Sequence, residues 1–135
     1  MKLHAYLGFQ GNCKEALDFY KEVFDGEISQ ISTYGESPME SPKEFSDKIM
    51  HARLQFGDTL MMFSDMMGEK EADAGSMISL SIECDNLDQL EKVFSKISEG
   101  GKVTMPLQDQ FWGARFGMLT DKFGIHWMFN CEKKS

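Results

Sequence analysis

Residues 12–26, Asn12-Cys13-Lys14-Glu15-Ala16-Leu17-Asp18-Phe19-Tyr20-Lys21-Glu22-Val23-Phe24-Asp25-Gly26, decide the fold. Ala16, Leu17, Phe19, Tyr20, Val23 and Phe24 recur at helical spacing, and Asp25-Gly26 stops them, so a helix is expected over 13–25. Asn12 with Glu15 three residues on has the spacing of a capping box. The pattern then returns. At a step of 74 residues Phe19 falls on Val93, Tyr20 on Phe94, Val23 on Ile97 and Gly26 on Gly100. Asp85-Asn86 opens this second helix, Leu87, Leu90, Val93, Phe94 and Ile97 form its apolar face, and Gly100-Gly101 ends it.

Around each helix the chain reads as strands. Leu3 to Phe9 is a short apolar segment before the first helix, and Glu27 to Thr33 follows it with β-branched residues. Residues 34–48 carry Gly35, Pro38 and Pro42 and read as the longest loop. Strands at 49–56 and 59–64 meet at the tight Gly57-Asp58 turn. After a polar loop over 65–75, a strand at 77–84 precedes the second helix. A short strand at 102–107, a long segment at 111–120, the turn 121–124 and a last strand at 125–131 follow it. The order is strand, helix, three strands, stated twice. Near the module ends the step becomes 66, because Met62-Phe63 falls on Met128-Phe129. An internal duplication is expected, with module one at 1–66 and module two at 75–131 of a single domain spanning 1–135. Two unrelated α+β halves are the alternative.

Composition narrows the function. The 135 residues suffice for a core without disulfides or structural metal. Net charge is −8, from 14 basic and 22 acidic residues, which argues against nucleic acid, whose phosphates are bound by clustered Lys and Arg. No apolar run approaches the ~18 residues of a membrane span, and the N-terminus lacks a signal-peptide pattern. A cytoplasmic protein is expected, with Cys13, Cys84 and Cys131 as buried free thiols. The unusual feature is 11 Met and 11 Phe, which promise an oversized core or an apolar pocket.

Two βαβββ units resemble the vicinal oxygen chelate superfamily of glyoxalases, extradiol dioxygenases and bleomycin and fosfomycin resistance proteins. The sequence is most similar to the PhnB-like branch, through Ala5-Tyr6-Leu7-Gly8-Phe9-Gln10-Gly11-Asn12, Glu15-Ala16, Phe19-Tyr20 and Phe24-Asp25-Gly26. Phe111-Trp112-Gly113-Ala114-Arg115-Phe116-Gly117 resembles the branch's Trp-Gly-x-Arg stretch. Asp121-Lys122-Phe123-Gly124-Ile125-His126-Trp127 resembles its closing Asp-Pro-Phe-Gly turn, with Lys122 in place of proline. The resemblance implies an α+β fold in which the two modules form a curved mixed sheet around a central cavity, the glyoxalase/bleomycin resistance/dihydroxybiphenyl dioxygenase fold. It also implies a homodimer, which the spare apolar residues suit. PhnB-like proteins have often been labelled demethylubiquinone methyltransferases. Nothing here supports that label, because the first strand-to-helix turn is not the glycine-rich kind that nucleotide-derived cofactors need.

In such folds four strand positions hold a divalent metal. Counting back from Phe19 puts the first at Ala5, and the step of 74 carries it to Ser79. Counting on from Gly124 gives Met128, and the step of 66 returns it to Met62. An alanine, a serine and two thioethers are poor ligands for hard or borderline ions, so neither metal nor cofactor is expected. The expected function is binding of a small, largely apolar molecule in a metal-free cavity lined by Leu7, Phe9, Met62, Ser79, Met128 and Trp112, as the resistance proteins sequester theirs. Arg115 offers a guanidinium for a carboxylate or phosphonate, or else an ion pair with an acidic neighbour. His126, sharing strand parity with Met128, is either a base at the rim or a structural strand-start histidine. His51 reads as structural, His4 is assigned no role, and Asp65 reads as a loop cap. The rival reading is a metal-dependent isomerase, lyase or dioxygenase of the glyoxalase type with atypical ligands, and a third is a cavity packed shut by Met and Phe.

Overall fold

A computed structural model describes residues 1–38, 40–67 and 72–133, so part of the polar loop over 65–75 lies outside the described residues. The chain divides into two compact units, residues 1–72 and 73–135, and each repeats the strand, helix, three-strand order. The α+β class is as the sequence implies. Its mixed sheet comes as two four-stranded sheets, neither closed into a barrel.

In the first unit β1 (Ala5–Phe9) leads into α1 (Cys13–Phe24), followed by β2 (Glu27–Thr33), β3 (Ile49–Phe56) and β4 (Thr59–Asp65). The sheet order is β1-β4-β3-β2, with β1 parallel to β4 and the other pairs antiparallel. A parallel pair needs a long crossover, and α1 with the β2–β3 meander supplies it. Helix α1 buries Cys13, Ala16, Leu17, Tyr20 and Val23 against the sheet. Tyr20 and Phe9 each stack on Phe63, at 5.9 and 6.4 Å between ring centroids, and Phe24 stacks on Phe56 at 4.5 Å. Asp25 ends the helix in the left-handed conformation, at φ 52°.

The expected capping box at Asn12 does not form. Its side chain caps no helical N–H and accepts instead from Gln10 N, at 3.3 Å. Asp65, buried at the end of β4, takes over: its Oδ1 accepts from Gly11 N (2.8 Å) and Cys13 N (3.0 Å), and its Oδ2 from Ile49 N (2.9 Å). One carboxylate therefore ties the start of α1 to the start of β3, the capping role expected of it with a wider reach. The 34–48 segment is more ordered than its proline content suggests. It contains two short 3-10 turns, Tyr34–Glu36 and Lys43–Phe45, the first closed by Thr33 and Glu36 in a capping box.

The second unit holds β5 (Leu80–Glu83), α2 (Leu87–Ile97), β6 (Lys102–Asp109), β7 (Ala114–Thr120) and β8 (His126–Glu132), in the sheet order β5-β8-β7-β6. Strand β5 is shorter than the 77–84 expected. Its ladder with β8 begins at Leu80 opposite Trp127, leaving Met77 and Ile78 exposed. Leu90, Phe94 and Ile97 of α2 are buried, and Phe94 meets Phe129 edge-on at 5.7 Å. Gly117 allows this close approach, since a Cβ there would stand 2.9 Å from the Phe94 ring and 2.8 Å from Leu107. Asp121, also buried, accepts from Phe123 N, Ile125 N and Trp127 Nε1, fixing the turn into β8. No helix among the described residues is long and apolar enough to cross a membrane.

Candidate functional site

Because side chains alternate along a strand, each sheet has a face under its helix and an open face. In the first sheet Met61, Phe63 and Asp65 of β4 are buried on the helix side, while Leu60, Met62 and Ser64 are half-buried on the other. Register then fixes the neighbours. Gln30 of β2, Arg53 of β3, Met62 of β4 and Tyr6 of β1 are successive cross-strand partners and form one row across the open face. The corresponding row of the second sheet is Met105 of β6, Met118 of β7, Met128 of β8 and Ser81 of β5. Phe116, Asn130 and Glu83 form the next row of that face, with Asn130 Nδ2 donating to Glu83 Oε1 at 2.9 Å.

The step from Tyr6 to Ser81 is 75 residues, one more than the step that relates the helices. That single residue matters for the inferred metal positions. Met62 and Met128 do lie on open faces, but Ala5 pairs with Met61 and has the parity of the helix side. Ser79 is exposed just ahead of β5. Leu7 and Phe9, expected to line the cavity, are buried in the core instead: Leu7 pairs with Phe63, and Phe9 stacks on it beneath α1.

Arg115 also faces the helix side. It pairs with Cys131 in register, and its guanidinium reaches Asp109 (Nε to Oδ1, 2.9 Å) and Glu91 of α2 (Nη1 to Oε1, 2.9 Å). Lys133 holds the second oxygen of Asp109 at 2.9 Å. The hydrogen bond to Asp109 raises the Arg115 pKa, and those from Arg115 and Lys133 lower that of Asp109. Of the two roles open to Arg115, the structure displays the ion pair.

His126 lies on the open face with both ring nitrogens engaged. Its Nε2 is 2.7 Å from the carbonyl oxygen of Gly75, which can only accept, so Nε2 carries a proton. In the neutral ring Nδ1 then accepts from Thr120 Oγ1, at 2.9 Å. With its lone pair occupied, the ring clasps the 75 segment to β8 and has no free basic nitrogen. Trp112, at the exposed tip between β6 and β7, contacts Phe116 at 6.0 Å and so borders the open face of the second sheet.

Cys13, Cys84 and Cys131 are free and buried. Burial, with a smaller contribution from the Asp65 charge, pushes the Cys13 thiol up to about 12. Burial first, then Cys131, Asp85 and Glu83, pushes Cys84 up to about 11. Neither has the lowered pKa of a nucleophile.

Sequence reasoning missed Arg53 and Tyr6 on the first open face, and Met105, Met118 and Phe116 on the second. The alternation of His51, Arg53 and Gln55 with Ala52 and Leu54 carried the signal for the first group. The β6 residues were hidden by irregular register between Val103 and Gln108.

The fold and its two modules define the class of protein. The Glyoxalase/Bleomycin resistance protein/Dioxygenase superfamily matches residues 2–129, and the chain belongs to that superfamily. Within it the chain belongs to the PhnB-like branch. A PhnB protein from Bacillus cereus is 28% identical, with a TM-score of 0.76 over 97% of this chain and 99% of that one. The crystal structure of PA1353 from Pseudomonas aeruginosa is 40% identical and superimposes with a TM-score of 0.88 over 99% of both chains. Protein YjdN of Escherichia coli K12 is 31% identical over 99% of this chain and 97% of its own length. The residues at the inferred metal positions do not fit the superfamily's divalent ion. The open-face row offers Tyr6 and Met62 in one module, Ser81 and Met128 in the other, with no imidazole or carboxylate among these four. Among the described residues no group of three or more His, Cys, Asp or Glu is placed to hold a metal.

Proposed function

We propose that this protein binds a small, largely apolar molecule without a metal, in a cavity floored by the open face of its second sheet. The observation that carries this reading is the row Met105, Met118, Met128, flanked by Phe116 and bordered by Trp112. Met118 and Met128 are half-buried and Met105 is exposed; methionines on a sheet face away from the helix offer soft, adaptable apolar contact where a purely structural open face would be polar. The polar contacts near this row come from Ser81 and the Glu83–Asn130 pair, which would orient the ligand. The protein acts as a cytoplasmic homodimer and needs no turnover for this role.

The test is saturable binding of the neutral fluorophore N-phenyl-1-naphthylamine to purified, untagged protein, with elemental analysis of the same sample. Saturable fluorescence enhancement is expected, weakened about tenfold or more in Met118→Lys, which removes apolar contact and adds a charge. No saturable binding, or equal binding by the variant, would sink the proposal. Near-stoichiometric Zn, Fe, Mn or Ni would overturn its metal-free part. Sedimentation as a monomer at micromolar concentration would overturn the dimer.

A further inference from the structure

The chain has two arginines, and they stand in opposite circumstances. Arg115 is held between Asp109 and Glu91. Arg53, in the middle of β3, is exposed and has no ion pair among the described residues, although acidic residues outnumber basic ones by 22 to 14. Glu27, which pairs with Gln55 on the edge strand of the same face, makes no ion pair with it.

The neighbours of Arg53 on that face are polar side chains and one thioether. Arg53 stands in the open-face row between Gln30 and Met62, with Tyr6 beyond. His51 and Gln55, two residues either way along β3, point to the same face at about 7 Å spacing. Tyr6 Oη is 3.2 Å from His51 Nδ1. Either group can donate in this contact; in the tautomer in which the phenol donates, the imidazole proton resides on Nε2, which has no partner among the described residues. Arg53, His51 and Gln30 thus share one face, with Met62 beside Arg53 in the row. In the second sheet the position matching Arg53 in the row is Met118, so the duplicated faces differ in charge at their centres.

We propose that the open face of the first sheet is a receptor for the oxyanion of a small organic molecule, a carboxylate or a phosphonate. Arg53 engages two of its oxygens and His51 Nε2–H and Gln30 complete the shell. Guanidinium matches both groups by the same paired geometry, so the shared chemistry is two anionic oxygens on one centre. This site is independent of the methionine row on the second sheet, and either can fail without the other.

The test is an NMR titration of protein labelled at arginine and histidine, with benzoate and phenylphosphonate as separate probes at constant ionic strength. The two arginines give two Nε–H signals, and Arg115 serves as the internal control. Saturable movement of the Arg53 and His51 signals is expected with one or both probes, and the responsive probe identifies the anion class. Arg53→Gln should weaken binding about tenfold or more, and Arg53→Lys, which keeps the charge but not the fork, should recover only part of it. The proposal is overturned if neither probe saturates, if chloride moves the signals equally, or if the His51 response survives in Arg53→Gln.

Discussion

Asp65 shows how much one buried side chain can organise. It satisfies three backbone N–H groups from two elements, and Tyr34 Oη donates to its own carbonyl at 2.7 Å. Asp65→Ala leaves three buried or half-buried donors without a partner, and a loss of about 3 kcal/mol is expected, since bonds to charged groups contribute roughly 1.5–3 kcal/mol each and do not add fully. Urea unfolding checks it, and a loss below about 1 kcal/mol would contradict the role. Beneath this carboxylate, Cys13 makes a second prediction. The folded thiols keep their protons to higher pH than unfolded ones, whose reference value is 9.0. The stability they support is therefore complete below about pH 9 and is lost as pH climbs towards about 11 and 12. At pH 8 the Cys13 thiolate should be about a thousandfold rarer in the folded than in the unfolded chain. Ellman's reagent should therefore label Cys13 slowly until urea is added, and rapid labelling of the native protein would refute the assignment.

The two helices start with the same residue type and use it differently. Asn86 accepts from Gln89 N at 2.8 Å, and Gln89 Oε1 accepts in return from Asp85 N at 2.8 Å, so α2 carries its cap in its own sequence. Asn12 caps nothing in α1, because Asp65 reaches in from 52 residues away. Asn86→Ala should therefore cost about 1 kcal/mol and Asn12→Ala only a few tenths, a contrast readable in thermal or urea midpoints. This marks the limit of what local sequence shows at an element's ends. Periodicity located α1 and α2 within a residue or so, because the apolar stripe is written in neighbouring positions. The residue that caps α1 is chosen by tertiary packing, and nothing near Asn12 announces it. Strand β5 carries the same lesson: Met77 and Ile78 read as strand by composition, yet pairing stops where β8 begins.

Over the whole chain, the recurring strand, helix, three-strand order was legible because both halves repeat the helix face and the closing strand. The open faces were legible only in part. Met62 and Met128 lie there as inferred, since the step of 66 holds for β4 and β8. Ala5, Leu7 and Phe9 fell on the wrong side because the count back from Phe19 crosses a strand-to-helix turn that does not preserve strand parity, and one residue of slip exchanges every side chain between faces. The same arithmetic makes the adjacent pair Met61 and Met62 a sharp test of register. Met61 is 2% exposed on the helix side, whereas Met62 is half-buried on the open face. Met61→Lys forces an ammonium among Phe63, Leu54 and α1 without a partner and should cost about 3 kcal/mol or more. Met62→Lys lets its chain extend from the open face and should cost under about 1 kcal/mol. Expression of both variants, followed by urea unfolding, separates the two costs. If Met62→Lys proves as damaging as Met61→Lys, then this face is packed rather than open, and the anion site proposed beside Arg53 has no room to exist.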